Sequence, residues 1–157
     1  MPTFFLDTSA LVKRYASERG TQWIQALCDP ASGNLIAISQ ATRVETVAAF
    51  CRKALNQDPK YGISIADRDH MIALFRRDLQ RGYGIVPVTD SIYTAAGDLC
   101  MLYRLHAYDA VQLACALALR NVLAQQSIQL TLVTGDQELD VAARAEGLVT
   151  DNPEKHP

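Results

Sequence analysis

Short apolar runs alternate along the chain with longer segments in which apolar residues recur every three or four positions. The short runs predict strands over residues 3–6, 35–38, 84–88 and 130–133, with an edge strand possible at Leu148 and Val149. The periodic segments predict helices over residues 8–16, 41–55, 65–81, 91–103, 108–123 and 137–146. A further helix is predicted to begin at Ser17 or Glu18 and to include Cys28. This alternation indicates an α/β fold with a mainly parallel central sheet.

The predicted helices differ in how they should be buried. Residues 110–119 are apolar on nearly every side, which predicts a central helix. Within residues 41–55 one apolar stripe predicts the buried face: Val44, Val47, Ala48, Cys51 and Leu55. Residues 56–62 read as a connection, so residues 1–150 form one predicted domain. Residues 151–157 form a C-terminal tail that either lies over the fold or frays.

Composition narrows the class of protein. A chain of 157 residues with 49% hydrophobic residues suits a single globular domain. No apolar run approaches the roughly 20 residues of a membrane span, and an acid at position 7 interrupts any leader, so a cytoplasmic protein that does not engage membranes is expected. The widely spaced cysteines predict buried, reduced thiols and no zinc site: Cys28, Cys51, Cys100 and Cys115. A net charge of −2 excludes nucleic-acid binding through bulk positive charge, but not a local site.

Four carboxylates are the candidate chemistry. Asp7 and Asp136 each follow an apolar strand, where an N-terminal helix cap is the simpler interpretation. Asp109 begins the central apolar helix, a place where a carboxylate needs a partner or a metal. Glu45 borders the apolar stripe of residues 41–55 among small alanines, although a surface glutamate is an equal alternative.

The predicted topology links these acids. In an open parallel sheet, the turns that follow the strands meet at one edge, where ligands bind. Converging carboxylates repel each other unless a cation neutralises them, and an oxygen-only ligand set favours Mg²⁺ or Mn²⁺. Such ions orient phosphate and activate water, so the residues suggest phosphodiester hydrolysis.

Several motifs, in order, resemble the PIN-domain ribonucleases, and in particular the VapC toxins of bacterial type II toxin–antitoxin pairs. They are LDTSALVK at residues 6–13, ISQATRVE at 38–45, LHAYDAVQLACA at 105–116, LVTGDQELDVAARAEGL at 132–148 and DNPE at 151–154. The resemblance implies a three-layer α/β/α sandwich and an endoribonuclease dependent on Mg²⁺ or Mn²⁺. It also implies a homodimer that a cognate antitoxin inhibits. The implied metal and catalytic residues are Asp7, Glu45, Asp109 and Asp136.

Other residues near these motifs have two interpretations each. The resemblance places the hydroxyls of Thr8 and Ser9 near the metal or its water, while helix capping explains them equally well. Asp140 could support the site from one turn along, but a solvated helix face accounts better for both Glu138 and Asp140. Candidate phosphate contacts are Lys13, Arg14, Arg43, Arg52 and Lys53.

One segment departs from the smaller family members. The segment of residues 56–69 is longer than we expect in the smaller members of the family. Its charged stretch at residues 67–70 predicts a helix start that is exposed to solvent.

Two alternative functions stay open at this point. A PIN-like fold could serve as a non-catalytic module that binds RNA or an antitoxin, although the complete set of four acids argues against it. Phosphoaspartate chemistry, as in receiver domains and haloacid-dehalogenase-like phosphatases, also uses an aspartate after the first strand. Those phosphatases need a second acid where this chain has Ser9, and both groups need a lysine that the last third lacks before Lys155.

Overall fold

Five of the apolar runs pair side by side as parallel strands. The computed structural model describes residues 1–157. Its strands are β1 (Thr3–Leu6), β2 (Leu35–Ser39), β3 (Gly84–Val86), β4 (Leu130–Val133) and β5 (Val149–Asp151). They form one sheet in the order β3-β2-β1-β4-β5, with every pair parallel. The predicted parallel α/β sheet is confirmed, and the possible edge strand is present one residue further along.

Helices cover both faces of the sheet. They are α1 (Thr8–Val12), α2 (Thr21–Leu27), α3 (Thr42–Leu55), α4 (Ile65–Leu79), α5 (Asp90–Leu102), α6 (Ala107–Ala124) and α7 (Gln137–Ala145). Short 3₁₀ helices lie at Pro30–Ser32 and Pro153–Lys155.

Two separate apolar cores confirm the three-layer α/β/α sandwich. Consecutive residues of β1 alternate between them: Phe5 packs with α5, α6 and α7, and Leu6 packs with α1 to α4. The first core is lined largely by small residues of α6, whose residues 110–116 are all buried. The prediction of a central helix is therefore correct.

Strand register places the turns after β1 and β4 next to each other. Leu6 pairs with Val133, and the backbone N–H of Asp7 donates to the carbonyl of Val133 at 3.2 Å. The residues that leave these two central strands therefore start from neighbouring points at one edge of the sheet.

Several predicted helix and strand ends were wrong. α1 ends at Val12 rather than residue 16, because residues 13–15 donate to carbonyls three positions back and tighten into a turn. α2 begins at Thr21 rather than 17 or 18, after Gly20 takes the left-handed conformation with φ +86°. β3 ends at Val86 rather than 88, since the N–H of Val88 donates to the side chain of Gln40 instead of a strand.

The predicted buried face of α3 was wrong for Val44 and Leu55, while Val47 is partly buried against the core. Val44 is 59% exposed and Leu55 81% exposed, whereas the buried residues are Thr42, Thr46 and Phe50. These lie four residues apart and follow the face on which Phe50 enters the core. Packing of one large ring therefore outweighs the smaller apolar residues of the stripe.

The four cysteines are all free, but they are not all buried. Cys28 and Cys115 are buried, Cys51 is half-buried and Cys100 is exposed. The prediction of a buried thiol is therefore wrong for Cys100, which lies on the outer side of α5. The start of α4 is solvated as predicted, with Asp67 exposed and Ser64 accepting its backbone N–H.

The C-terminal tail packs on the domain instead of fraying. Pro153 is buried, and the rings of Trp23 and His156 stack with centroids 4.1 Å apart. His156 also pairs with Asp151 at 2.9 Å. Gly20 is required beneath this tail, because a Cβ there would lie 2.7 Å from the carbonyl carbon of Pro153. No helix in the structure has both the length and the apolar character to span a membrane.

Candidate active site

Asp7 is both a helix cap and a buried acid. Its Oδ1 accepts the backbone N–H of Ala10 at 2.9 Å, which caps α1 as the simpler interpretation predicted. The hydroxyls of Thr134 and Ser9 also donate to this carboxylate, at 2.6 Å and 2.8 Å. Burial raises the pKa of Asp7 to about 6 against the effect of these hydrogen bonds, and the nearby charge of Asp109 adds to the rise.

Asp136 caps α7 in the adjoining turn. Its Oδ1 accepts the backbone N–H of Leu139 at 2.7 Å. The hydroxyl of Ser9 accepts the N–H of Gly135 at 2.9 Å while it donates to Asp7. Ser9 therefore ties the turn after β1 to the turn after β4, and it holds the two capping acids at the same edge of the sheet.

Glu45 reaches the same edge from α3. Its Oε2 accepts from the hydroxyl of Thr8 at 2.5 Å and from the amide of Gln112 at 2.6 Å. The Gln112 amide also donates to Thr8 at 2.8 Å. Three helices thus hold this carboxylate in one orientation, and the alternative of an unconstrained surface glutamate does not describe it.

Asp109 lies half-buried in the first turn of α6. Burial raises its pKa to about 6, and the charges of Asp136, Glu45 and Glu138 raise it further, while His106 opposes them. Together with the effect of Asp109 on Asp7, these interactions place acids from four different segments within electrostatic range of one another.

The four predicted acids line one cleft of about 430 Å³. Polar residues make up most of its lining: Asp7, Thr8, Ser9, Lys13, Glu18, Glu45, Arg52, Asp109, Gln112, Asp136 and Glu154. No three Asp, Glu, His or Cys side chains come as close together as the ligands of a single metal ion. The acids share the cleft without converging on one point, which is the arrangement that repelling carboxylates adopt.

The donor set nevertheless fits a hard divalent cation. Every acid in it presents carboxylate oxygen, with no histidine or thiolate in the cleft lining. Two of the carboxyls have a raised pKa, so the cleft favours added positive charge, whether from protons or from a cation. Ions such as Mg²⁺ or Mn²⁺ match this chemistry.

The candidate phosphate contacts separate into groups. Lys13 and Arg52 line the cleft, and Arg52 is exposed without a protein partner. Arg14 instead pairs with Asp78 at 3.3 Å in a network with Tyr15 and Tyr83. Lys53 is not part of the cleft lining, although it pairs with Glu18, which is. Arg43 lines a separate groove between α3 and α4.

The outer acids of α7 are not part of the cleft. Glu138 is exposed, and Asp140 forms an i,i+4 pair with Arg144 at 3.1 Å. The solvated-face interpretation describes Glu138, whereas Asp140 is half-buried and paired with Arg144. Glu138 also lies close enough to Asp109 to raise the pKa of that residue.

Two supporting residues had no predicted role. Gln112 is the one polar residue within the apolar run 110–119, and Thr134 directly follows an apolar strand. The sequence signal for both residues was a polar side chain in or next to an apolar segment, which indicates a buried group that needs a hydrogen-bond partner. Their partners lie far away along the chain, so the signal could not have identified which acid each would hold.

Several solved structures share this fold. A chain of the VapBC2 complex of Rickettsia felis, solved with a DNA fragment from its promoter, aligns with a TM-score of 0.59 and 15% identity, over 96% of this chain and 98% of that one. The Mycobacterium tuberculosis toxin VapC20, which cleaves the sarcin-ricin loop, gives 0.60 and 17%, over 88% and 94%. A toxin–antitoxin complex from Klebsiella pneumoniae gives 0.53 and 21%, over 85% and 88%.

Sequence comparison identifies the family directly. None of the curated proteins matches this sequence significantly. The family model of the PIN domain matches residues 4–145, which include the four predicted acids Asp7, Glu45, Asp109 and Asp136, most of β1 and all of β2, β3 and β4. The chain belongs to the PIN domain family.

Proposed function

We propose that this protein is an endoribonuclease that depends on a divalent metal ion and acts as the toxin of a type II toxin–antitoxin pair. The observation that carries the proposal is the set of acids from four segments around one cleft at the carboxyl edge of the sheet. Membership of the PIN family and the fold shared with VapC toxins support it. A cytoplasmic location belongs to the same proposal.

Asp7 and Asp109 are the proposed principal ligands of Mg²⁺ or Mn²⁺, with Glu45 and Asp136 completing the set. When bound, such an ion supplies positive charge for a phosphodiester and lowers the pKa of water. The chain's own residues fix the geometry: Ser9 and Thr134 orient Asp7, while Thr8 and Gln112 orient Glu45. This support keeps the carboxylates in place despite their mutual repulsion.

Cleavage by substituted proteins tests the proposal. Asp7→Asn and Asp109→Asn should each lower the rate of RNA cleavage in Mg²⁺ or Mn²⁺ by about 10²-fold or more, since each removes a charged ligand. Asp140→Asn is the matched control, because Asp140 is an acid of the same domain that pairs with Arg144 outside the cleft. Folded Asp7→Asn and Asp109→Asn proteins that cleave like the wild type would overturn the mechanism. Metal binding by the wild type without cleavage of any RNA would favour a non-catalytic module.

The proposed partners are an RNA substrate, an antitoxin and a second copy of this chain. An antitoxin is expected to cover the acidic cleft with a basic residue, and two of the structural neighbours are toxin–antitoxin complexes. Expression together with the neighbouring gene should yield a stable complex with a small protein and relieve growth arrest. Light scattering of the purified toxin should give twice the monomer mass of 17.3 kDa. Normal growth when the protein is expressed alone would contradict the toxin assignment.

A further inference from the structure

Lys13 is a buried cation inside the acidic cleft. Its side chain is only 7% exposed, and its ammonium lies 3.3 Å from Glu18 and 3.4 Å from Glu154. Neither of these acids belongs to the proposed metal set. The cleft therefore holds a fixed positive charge beside its acids, and separate carboxylates hold it there.

The C-terminal tail supplies one of those carboxylates. Glu154 lies in the 3₁₀ helix Pro153–Lys155. Pro153 is buried against Gly20 at the start of this helix, and His156 stacks on Trp23 directly after it. Glu18 is fixed independently by its pair with Lys53. The Glu18 side chain is thus held by a second ion pair, and the backbone of Glu154 is held by its packed neighbours, so both partners place the ammonium of Lys13 before any ligand arrives.

The ammonium has capacity left for a ligand. An ammonium donates three hydrogen bonds, and Lys13 makes two, each longer than the 2.7–2.9 Å typical of charged pairs. No third protein acceptor is present. The side chain passes the turn that carries Asp136, since a Cβ on Gly135 would lie 3.9 Å from the Cε of Lys13. The unused donor is therefore available to an anion in the cleft next to the acids.

We propose that Lys13 is a phosphate-binding residue, whose ammonium contacts a phosphate oxygen of an RNA strand lying in the cleft, while Glu18 and Glu154 orient it. This inference rests on the proposed function, because it takes RNA as the ligand of the same cleft. A buried ammonium at a fixed place sets the register of the strand relative to the acids, which the exposed Arg52 cannot do. The tail thereby contributes to the site through Glu154.

RNA binding without cleavage tests this role. All proteins carry Asp109→Asn, and their binding of a short fluorescein-labelled single-stranded RNA of mixed sequence is measured by anisotropy over a series of NaCl concentrations. Adding Lys13→Met should weaken binding about tenfold. It should also reduce the slope of log K against log salt by about 0.7, the contribution of one phosphate contact on a single strand. Lys155→Met is the control: it removes an exposed lysine that forms no ion pair and lies outside the cleft lining, and it should leave the slope unchanged.

The variants should fold, because Glu18 keeps Lys53 and the half-exposed Glu154 can be hydrated. Lys13→Gln, which keeps a hydrogen-bond donor without the charge, provides a second measurement and should lose the same slope. An unchanged slope in both Lys13 variants would overturn the inference, as would the absence of RNA binding by the Asp109→Asn protein. If the wild type fails to cleave RNA while binding still depends on Lys13, the proposed hydrolysis fails and the phosphate contact stands.

Discussion

Asp7 combines a capping role with a carboxylate that burial makes costly to ionise. Its pKa of about 6 lies above the ordinary value of 3.8, so the folded protein binds the proton more tightly than the unfolded chain does. The resulting stability is fully present below about pH 4 and is lost as pH rises through about 6. In the absence of metal ions, the ionised carboxylate therefore destabilises the fold at neutral and higher pH.

Asp7→Asn should consequently stabilise the metal-free protein at about pH 8, raising the free energy of unfolding by about 2 kcal/mol. Asparagine caps helices as well as aspartate does, so the bond to Ala10 is retained. Urea unfolding in EDTA measures the effect, which should vanish near pH 4, where wild-type Asp7 is protonated. A variant that is less stable than the wild type at pH 8 would show that hydrogen bonds to the carboxylate outweigh its desolvation.

A second residue-scale test concerns a buried hydroxyl. The Oγ1 of Thr46 is buried in α3 without a hydrogen-bond partner, so Thr46→Val should raise the free energy of unfolding by about 1 kcal/mol. Thr42 is the matched control, being equally buried on the same face but donating to Gln112 at 3.3 Å. Thr42→Val should destabilise the protein. Equal effects of the two substitutions on the denaturation midpoint would contradict this account.

At the residue scale, sequence reasoning predicts the acids better than their partners. Asp7 and Asp136 follow strands, and a capping preference together with strand topology suffices to predict where they lie. The bonds of Glu45 join residues 37 and 67 positions apart, and these depend on how α3 and α6 pack. Sequence patterns are local, so they do not specify such long-range pairs.

Among the elements, the tail and α2 form the contact that most depends on a single residue. Gly20 has φ +86° and leaves no space for a Cβ against Pro153, whereas Gly33 has φ +71° and open space around it. Gly33→Ala should cost only the left-handed strain of about 1–2 kcal/mol. Gly20→Ala should cost more, because it adds a clash with the backbone of the tail.

Fluorescence distinguishes loss of the tail contact from general destabilisation. Trp23 is the only tryptophan and stacks on His156, so release of the tail in Gly20→Ala should shift its emission to longer wavelength. Gly33→Ala should retain the wild-type spectrum. Identical spectra and stabilities for the two variants would show that the tail adapts to a Cβ at position 20.

The differences between predicted and observed elements have a common cause. β1 and β4 match their predicted bounds because both are short, apolar and limited by polar residues. α1 stops early because its chain must turn to bring Lys13 and Tyr15 into tertiary contacts. The buried face of α3 depends on where Phe50 enters the core. Tertiary packing determines both the end of α1 and the buried face of α3, and the apolar periodicity of the sequence carries no information about that packing.

For the molecule as a whole, the small net charge conceals a strong local imbalance. The chain carries only two more acids than bases, but six acids and two bases line a single cleft, and four of those acids are the proposed metal ligands. MnCl₂ should therefore raise the melting temperature of the wild type progressively, since a ligand that binds only the folded state stabilises it by about 2.7 kcal/mol at 100 times Kd.

Substitutions and salt provide the controls for this metal prediction. Asp7→Asn combined with Asp109→Asn should abolish most of the rise in melting temperature, while NaCl at the same ionic strength should not reproduce it. A rise of equal size in the wild type and the double variant would place the metal elsewhere and remove these two acids from the proposed ligand set.

The position of β1 in the middle of the sheet also affects when the protein can fold during its synthesis. Asp7 is made almost first, yet its partner Thr134 lies 127 residues later, and β1 pairs with β4. A nascent chain cannot complete the cleft until β4 and the turn after it have left the ribosome. Under the proposed ribonuclease function, this order of synthesis would delay activity until translation is nearly finished, so that the message and the ribosome producing each copy would not be exposed to it during elongation.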